Sequence, residues 1–398
     1  MLDRLPTNHN WDAIRSRSPR LGPQIDEPKD RGGSPRRRIT AGVVALVVFA
    51  LAGAFTWNAF RSGPNPSPAS DLISPDNVSA TIRTFDIGHR FPEGVTVGEG
   101  AVWVAAQDLD PRRGELLRLN PTTGDIEARI AMPVPSWEWG GAGLATGLGS
   151  VWVAAGSSGG EGGFDAWLYR IDPSSNTVEE TIDVGRGSSS DVWVSDTGIW
   201  VLASEDRSYR LFHLDPDSHA VVATTDIPAT WSQSVAESGG SLWVSGNTDD
   251  SNGAPPETLF QVDPTTYEIV GRSQPANGQA FTLVASGDRL WFDHGGLRAL
   301  DGTTGEEVVG PLDLPAGCCS SLTPDGVGGV WVLGTEAAGE RAGLWHVDLN
   351  GVVDQHSGSD LGPDVNGKGS AWDASTNSIW IVQGERTVSQ IQIAGTSP

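Results

Sequence analysis

AVWVAA (101–106), SVWVAA (150–155), GIWVLA (198–203), SLWVSG (241–246), RLWFDH (289–294), GVWVLG (329–334) and SIWIVQ (378–383) are seven versions of one apolar run. Their tryptophans are Trp103, Trp152, Trp200, Trp243, Trp291, Trp331 and Trp380, spaced 49, 48, 43, 48, 40 and 49 residues apart. A period of about 40–50 residues marks a repeat architecture, in which each unit is one supersecondary element that buries its apolar faces only against its neighbours.

Four segments make up each unit. In the first copy GVTVGEG (94–100) alternates and turns on glycine, AVWVAA is apolar throughout, ELLRLNPTTG (115–124) alternates and turns, and DIEARIAM (125–132) alternates again. These are strand lengths and turn signals at the spacing of an all-β fold. After residue 78 no long 3.6-residue apolar period occurs, so helix is expected to be scarce. The third segment recurs as LLRLNPTTG, LYRIDPSSN, LFHLDPDSH, LFQVDPTTY, LRALDGTTG and LWHVDLNGV. Asp or Asn followed by Pro suits a type I turn, so a hairpin follows each third strand. The tryptophan runs are apolar on both strand faces, which requires cover on both sides of the sheet.

A ring of small sheets, each packed between two others, provides that cover. The predicted fold is therefore all-β: a seven-bladed β-propeller of four-stranded antiparallel blades. Residues 370–393 supply only three strands of a last blade, SAWDA, SIWIVQ and TVSQIQI. ATIRTFDIG (80–88) has the pattern of a fourth strand, as in VEETIDVG (178–185), and is expected to complete blade seven and close the ring. Closure removes two exposed sheet edges.

The unit resembles the YVTN-type and streptogramin-lyase-like (virginiamycin B lyase-like) seven-bladed propellers of bacteria, over roughly Ala80 to Ala394. One copy, ALDGTTGEEVV (299–309), also resembles the repeat of quinone-dependent dehydrogenase propellers. The resemblance implies the propeller fold. Streptogramin lyases use a histidine and a glutamate on the inner face for a metal-assisted elimination. Here the loops entering the inner strands hold one histidine, His89, and no His/Glu set at matching positions in blades six or seven. The lyase activity is not carried over.

Residues 39–60, ITAGVVALVVFALAGAFTWNAF, hold no charge, enough length to span a hydrocarbon core. Residues 1–38 carry nine Lys/Arg, including Arg36, Arg37 and Arg38, whereas the next twenty residues after the span carry only Arg61. The positive-inside rule then places the N-terminus in the cytoplasm and the C-terminal propeller outside the membrane. A cleaved signal peptide ending near Ala50-Leu51-Ala52 is the rival reading, set against a 38-residue leader that is too long for one. The expected organisation is a disordered basic cytoplasmic tail (1–38), a transmembrane helix (39–60), a Pro/Ser-rich tether (61–78) and the propeller (79–398).

The formal net charge is −24; residues 1–38 contribute +4, so residues 61–398 carry −28. An ectodomain of that charge is not a nucleic-acid binder. The two cysteines, Cys318 and Cys319, are adjacent and have no other partner in the chain. In an oxidising compartment they either form a vicinal disulfide or stay as thiols.

Non-repeated chemistry collects in the connections between blades, which open on one face of the ring. The candidate ligand-binding residues there are Arg90, Trp137, Glu138, Trp139, Arg186, Trp231, Gln233, Asn277, Cys318, Cys319 and Lys368. Aromatics beside a few convergent polar groups suit a ligand mouth, although loop tryptophans can equally plug a channel. Glu161, Asp165, Asp249 and Asp250 lie in loops of the second set, without the spacing of a known Ca²⁺ loop. His213 and His346 share a slot with Arg118, Arg170 and Gln261 and read as scaffold; His294 is a possible titrating group. No GxSxG, HExxH, CxxC or phosphate-loop pattern is present, and no cofactor or metal is expected. The leading reading is a membrane-anchored, extracytoplasmic binding module for a ligand or protein. The alternatives are a lyase or hydrolase with an upper-face active site, and a structural cell-surface protein.

Overall fold

Each tryptophan run forms the second strand of a four-stranded antiparallel blade. The computed structural model describes residues 76–77, 80–88, 91–109, 112–133, 143–159, 163–205, 208–229, 232, 234–247, 257–274, 282–293, 296–312, 314, 316–336, 342–357, 369–383 and 386–393. Blade one is Phe91–Gly98, Ala101–Leu109, Arg112–Leu119 and Ile126–Ala131, and blade two is Gly143–Gly147, Ser150–Gly159, Gly163–Asp172 and Thr177–Arg186. Blade three is Ser188–Ser195, Gly198–Glu205, Ser208–Leu214 and Val221–Ile227. Blade four is Val235–Ser238, Ser241–Asn247, Glu257–Val262 and Ile269–Ser273. Blade five is Leu283–Ser286, Arg289–Asp293, Leu297–Asp301 and Glu307–Leu312. Blade six is Ala316–Pro324, Val330–Glu336, Ala342–Val347 and Val353–Ser357. Blade seven is Ser370–Asp373, Ser378–Gln383, Thr387–Ile393 and, from the other end of the propeller sequence, Ala80–Asp86. Among the described residues there is no helix, and none long and apolar enough to cross a membrane; residues 39–60 lie outside them.

Closure follows the expected scheme. Ala80–Asp86 runs antiparallel to Thr387–Ile393 in unbroken register, from Ala80 opposite Ile393 to Asp86 opposite Thr387. The first strands of neighbouring blades contact one another around the whole ring, including Ser370–Asp373 with Phe91–Gly98. One pairing was not anticipated. Asp76 and Asn77 run parallel to Gln355 and His356, adding a fifth strand to the outer edge of blade six. The chain therefore touches the edge of blade six just before it completes blade seven.

The seven repeated tryptophans are the interblade core. Trp103, Trp152, Trp200, Trp243, Trp291, Trp331 and Trp380 are each at most 4% exposed. Each packs with apolar residues of the following blade, Trp103 with Val151, Val153 and Ile171, and Trp243 with Leu283, Leu290 and Leu300. The last seam joins Trp380 to Val95, Val102 and Val104 of blade one. A tryptophan buries about 150–250 Å², which at roughly 25 cal/mol per Å² makes each a principal contributor to its seam. Four of the indole N–H groups donate to turn carbonyls: Trp103 to Gly98, Trp152 to Gly147, Trp243 to Gly302 and Trp291 to Gly328, at 2.9–3.1 Å.

The recurring Asp-Pro turns explain their own sequence. Asp263 Oδ1 accepts from the N–H groups of Thr265 and Thr266 at 2.7 and 3.0 Å, and Asn120, Asp215 and Asp301 accept from the matching pairs. The fifth residue returns the chain in a left-handed conformation, with its N–H donating to the carbonyl of the first, as Gly124 does to Asn120. Gly124 (φ 77°) and Gly305 (φ 72°) take that position freely. His219 (φ 56°) and Tyr267 (φ 63°) take it against the side-chain preference. Both rings are used by the core: His219 meets Trp152 edge-on, and Tyr267 lies 5.0 Å from the ring of His213.

Candidate functional site

Inner strands enter from one face of the ring, here called the upper face, which also carries the connections between second and third strands. The turns between first and second, and between third and fourth, strands lie on the opposite face. Of the predicted site residues, Arg90, Trp137, Glu138, Trp139, Trp231, Gln233, Asn277 and Lys368 lie outside the described residues, as do His89, Glu161, Asp249, Asp250 and His294. Arg186 ends the outer strand of blade two, with its backbone opposite Asp165, and a single residue, Gly187 (φ 126°), separates it from blade three. Cys318 and Cys319 belong to a strand where a loop was expected. The second strand of blade six reaches to Glu336 and pairs with the segment as far as Ala316, with irregular register on either side of Cys319. Each of these described backbones sits at the upper end of its blade.

The shared histidine and arginine slot is scaffold, as expected. Arg118 donates to the Pro173 carbonyl of the next blade, and Gln261 donates to the Thr303 carbonyl. His213 stacks on Trp200 with ring centroids 4.1 Å apart, and burial holds its imidazole below the ordinary histidine value. His346 Nε2 meets Asp325 Oδ2 at 3.0 Å, while Ser286 Oγ donates to Asp325 Oδ1 at 2.9 Å. This is a Ser, an Asp and a His in one cluster, but the carboxylate stands between the other two. Nucleophilic catalysis needs the base on the hydroxyl. Burial would raise the Asp325 carboxyl, but the bonds from His346, Val327 and Ser286 together outweigh it and hold the group below its usual range. The cluster ties blade five to the lower turn of blade six. Among the described residues no group of three His, Cys, Asp or Glu side chains gathers around a metal-sized space.

The repeat breaks at its inner rim. The inner-strand position opposite the second residue after each repeated tryptophan holds Gly94, Gly143, Asp191, Ser234, Thr282, Ser321 and Gly369 in blades one to seven. At one of these the neighbouring backbone is too close for a side chain: a Cβ on Gly143 would stand 2.8 Å from the Asp191 Cα. At two others a hydroxyl reaches the next blade: Ser234 Oγ accepts from the Leu283 N–H at 3.3 Å, and Ser321 and Ser370 share a hydroxyl bond of 2.6 Å. Blade three alone puts a carboxylate there. Asp191 Oδ2 accepts from the Val235 N–H of blade four, and Oδ1 from its neighbour Val192, both at 2.9 Å. Burial pushes the Asp191 carboxyl up to about 6, against the bonds from Val235, Val192 and the Ser234 hydroxyl.

The same seam carries further departures. Trp193 stands where the other blades have Thr96, Ala145, Ala236, Val284, Thr323 and Ala371. Ser232 and Ser234, from the connection into blade four, are buried, and Ser232 Oγ donates to the Ser245 carbonyl. Tyr209 is nearly buried; burial raises its phenol, opposed by bonds to the Ser232 backbone and the Ser204 hydroxyl. Trp193 Nε1, Trp200 Nε1, His213 Nδ1, Glu237 Oε2 and Thr258 Oγ1 are buried without a hydrogen-bond partner among the described residues. Glu237 and Thr258 share strand faces with Val235 and Phe260, which pack into this seam. Each such orphan costs about 1–3 kcal/mol. Polar irregularity is thus concentrated between blades three and four, below the connection that holds Trp231 and Gln233. Sequence reading by loops missed Asp191, Trp193 and Glu237. Aligning the inner strands on the downstream tryptophan would have shown all three as departures.

No protein-family model matches the chain, and no curated protein sequence does. Solved structures match in number, with 806 matching chains, so likeness at this level speaks for the fold and nothing finer. One of them is a chain from the crystal structure of a mitotic checkpoint complex, at 13% identity and a TM-score of 0.57. The match covers 83% of this chain and 96% of that one. By its own strands and by that likeness, the chain is a seven-bladed β-propeller.

Proposed function

We propose that this protein is a binding module whose upper face, around the seam between blades three and four, takes a ligand or partner protein. One observation carries the reading: Asp191 places a half-buried carboxylate, bonded across to the next blade, where the other blades make do with glycine, serine or threonine. A scaffold selected for stability alone has no use for a charge that burial disfavours, and such residues concentrate at functional sites. Propellers are commonly binding scaffolds, and function on a repeated fold resides in what the repeat does not share. The connections into the inner strands add Trp137, Trp139 and Trp231, off the beat of the core tryptophans, with Glu138 and Gln233 beside them in sequence and Arg90, Asn277 and Lys368 in other connections of the same set.

The same proposal puts the ring outside the cell on one membrane-spanning helix. The support is the uncharged stretch 39–60, the nine Lys/Arg before it and the single Arg61 in the twenty residues after it. Protease added to intact cells would then degrade the propeller and spare the N-terminal tail; protection of the propeller would overturn the topology. For the mouth, the test is a joint replacement of Trp137, Trp139 and Trp231 by alanine in the full chain. Loss of binding to whatever the wild-type protein retains, with the fold intact, is expected. Unchanged binding of every such molecule would reduce the mouth to a plug.

A further inference from the structure

The Asp191 carboxyl joins two blades by backbone bonds at the upper end of their seam. Its partner Val235 follows directly on Ser234, which in turn accepts from Leu283 of blade five. A change in how firmly Asp191 holds Val235 is therefore passed to Ser234 and to its bond with blade five. At the other six inner-rim positions the residue is glycine, serine or threonine, and none of these titrates near neutrality.

We infer that Asp191 is a proton-operated clasp which sets how firmly the upper ends of blades three and four are held together. The clasp stands on the bonds between the blades and needs no ligand. Ionised, the carboxylate accepts two charge-assisted N–H bonds, which are stronger than neutral ones. Protonated, it holds Val192 and Val235 less firmly but no longer keeps a charge out of water. Local grip and global stability thus move in opposite directions.

The described ionisable groups on the strands packed against Asp191 are Asp165, Tyr169, Arg170 and Asp172 of blade two and Glu237 of blade four. None of them figures among the causes of its shift, which are burial first and then the three opposing hydrogen bonds. Raising a carboxyl from 3.8 to about 6 means that the folded state binds the proton more tightly than the unfolded chain. Stability from this group is therefore full below pH 3.8 and falls as pH rises toward 6. His213, in the same seam, has the reverse slope. Its imidazole is lowered, so its contribution is full above 6.5 and is lost as pH falls below that. The Asp191 effect must consequently be read as a difference between variants.

The full chain is compared with Asp191→Ser, which supplies the residue of blades four and six, and with Asp191→Asn, which keeps the shape. Denaturant unfolding between about pH 4 and 7.5 should show the serine variant gaining on wild type as pH rises, by up to about a hundredfold in the folding equilibrium. Hydrogen exchange, corrected for intrinsic rates, should show protection of the Val235 amide falling in wild type as pH drops through 6, and no such step in either variant. Identical pH slopes for wild type and both variants would overturn the clasp, as would a Val235 amide whose protection is flat from pH 5 to 7. Neither readout uses a ligand, so failure of the clasp leaves the binding proposal standing, and failure of binding leaves the clasp.

Discussion

Single carboxylates hold the lower-face turns, and their chemistry sets how the ring meets acid. Asp172, Asp215, Asp263 and Asp301 are held below the ordinary carboxylate value, chiefly by the N–H groups of their own turns. Their contribution is full above pH 3.8 and is lost as pH falls below it, a window separate from that of Asp191. Asp263→Ala is expected to lower the melting temperature at neutral pH, and the gap from wild type should close in strong acid; a gap that persists there would mean the turn is held otherwise. Tryptophans divide into two kinds. Trp243→Ala empties an interblade seam and should destabilise by about 3–5 kcal/mol in chemical denaturation, whereas Trp231→Ala should leave stability close to that of wild type. The core tryptophans could be read directly, because their spacing and flanking apolar residues are local. Asp191 could not. SSSDVWVS looks like an ordinary polar strand start, and the bond that sets Asp191 apart comes from Val235, 44 residues further on.

Among elements, the strand Ala80–Asp86 has the largest consequence for its size. It completes blade seven from the opposite end of the propeller sequence and buries Trp380 beneath Phe85, whose ring stacks on it at 5.5 Å. Proline at Thr81 would remove a ladder bond in the closing strand, and proline at Ala128 would do so in an outer strand that closes nothing. Thr81→Pro is predicted to lower the unfolding midpoint markedly more than Ala128→Pro, measured by circular dichroism in urea. Equal losses would show that closure adds nothing beyond one strand. This strand was legible because it repeats the pattern of every fourth strand. The pairing of Asp76 and Asn77 with blade six was not, since two residues beside a Pro/Ser-rich stretch carry no strand pattern. Cys318 and Cys319 read as a loop because AGCCSS lacks alternation; their strand pairing is imposed by the length of the neighbouring strand.

At the scale of the whole molecule, seven similar seams form a scaffold in which one differs. The blade count, the ring and its closure were visible in the sequence because repetition amplifies a weak local signal seven times. The candidate site was only partly visible, because it is defined by deviation at one inner-rim position and by contacts between blades. The central claim is that molecules are bound on the upper face above the blade three–four seam. A photo-crosslinking amino acid placed at position 231, and in a separate protein at exposed Leu349 on the lower face, tests it in intact cells. The account predicts a discrete adduct from position 231, weakened by Asp191→Ser, and none from position 349. An adduct from position 349 alone, or equal adducts from both, would contradict it.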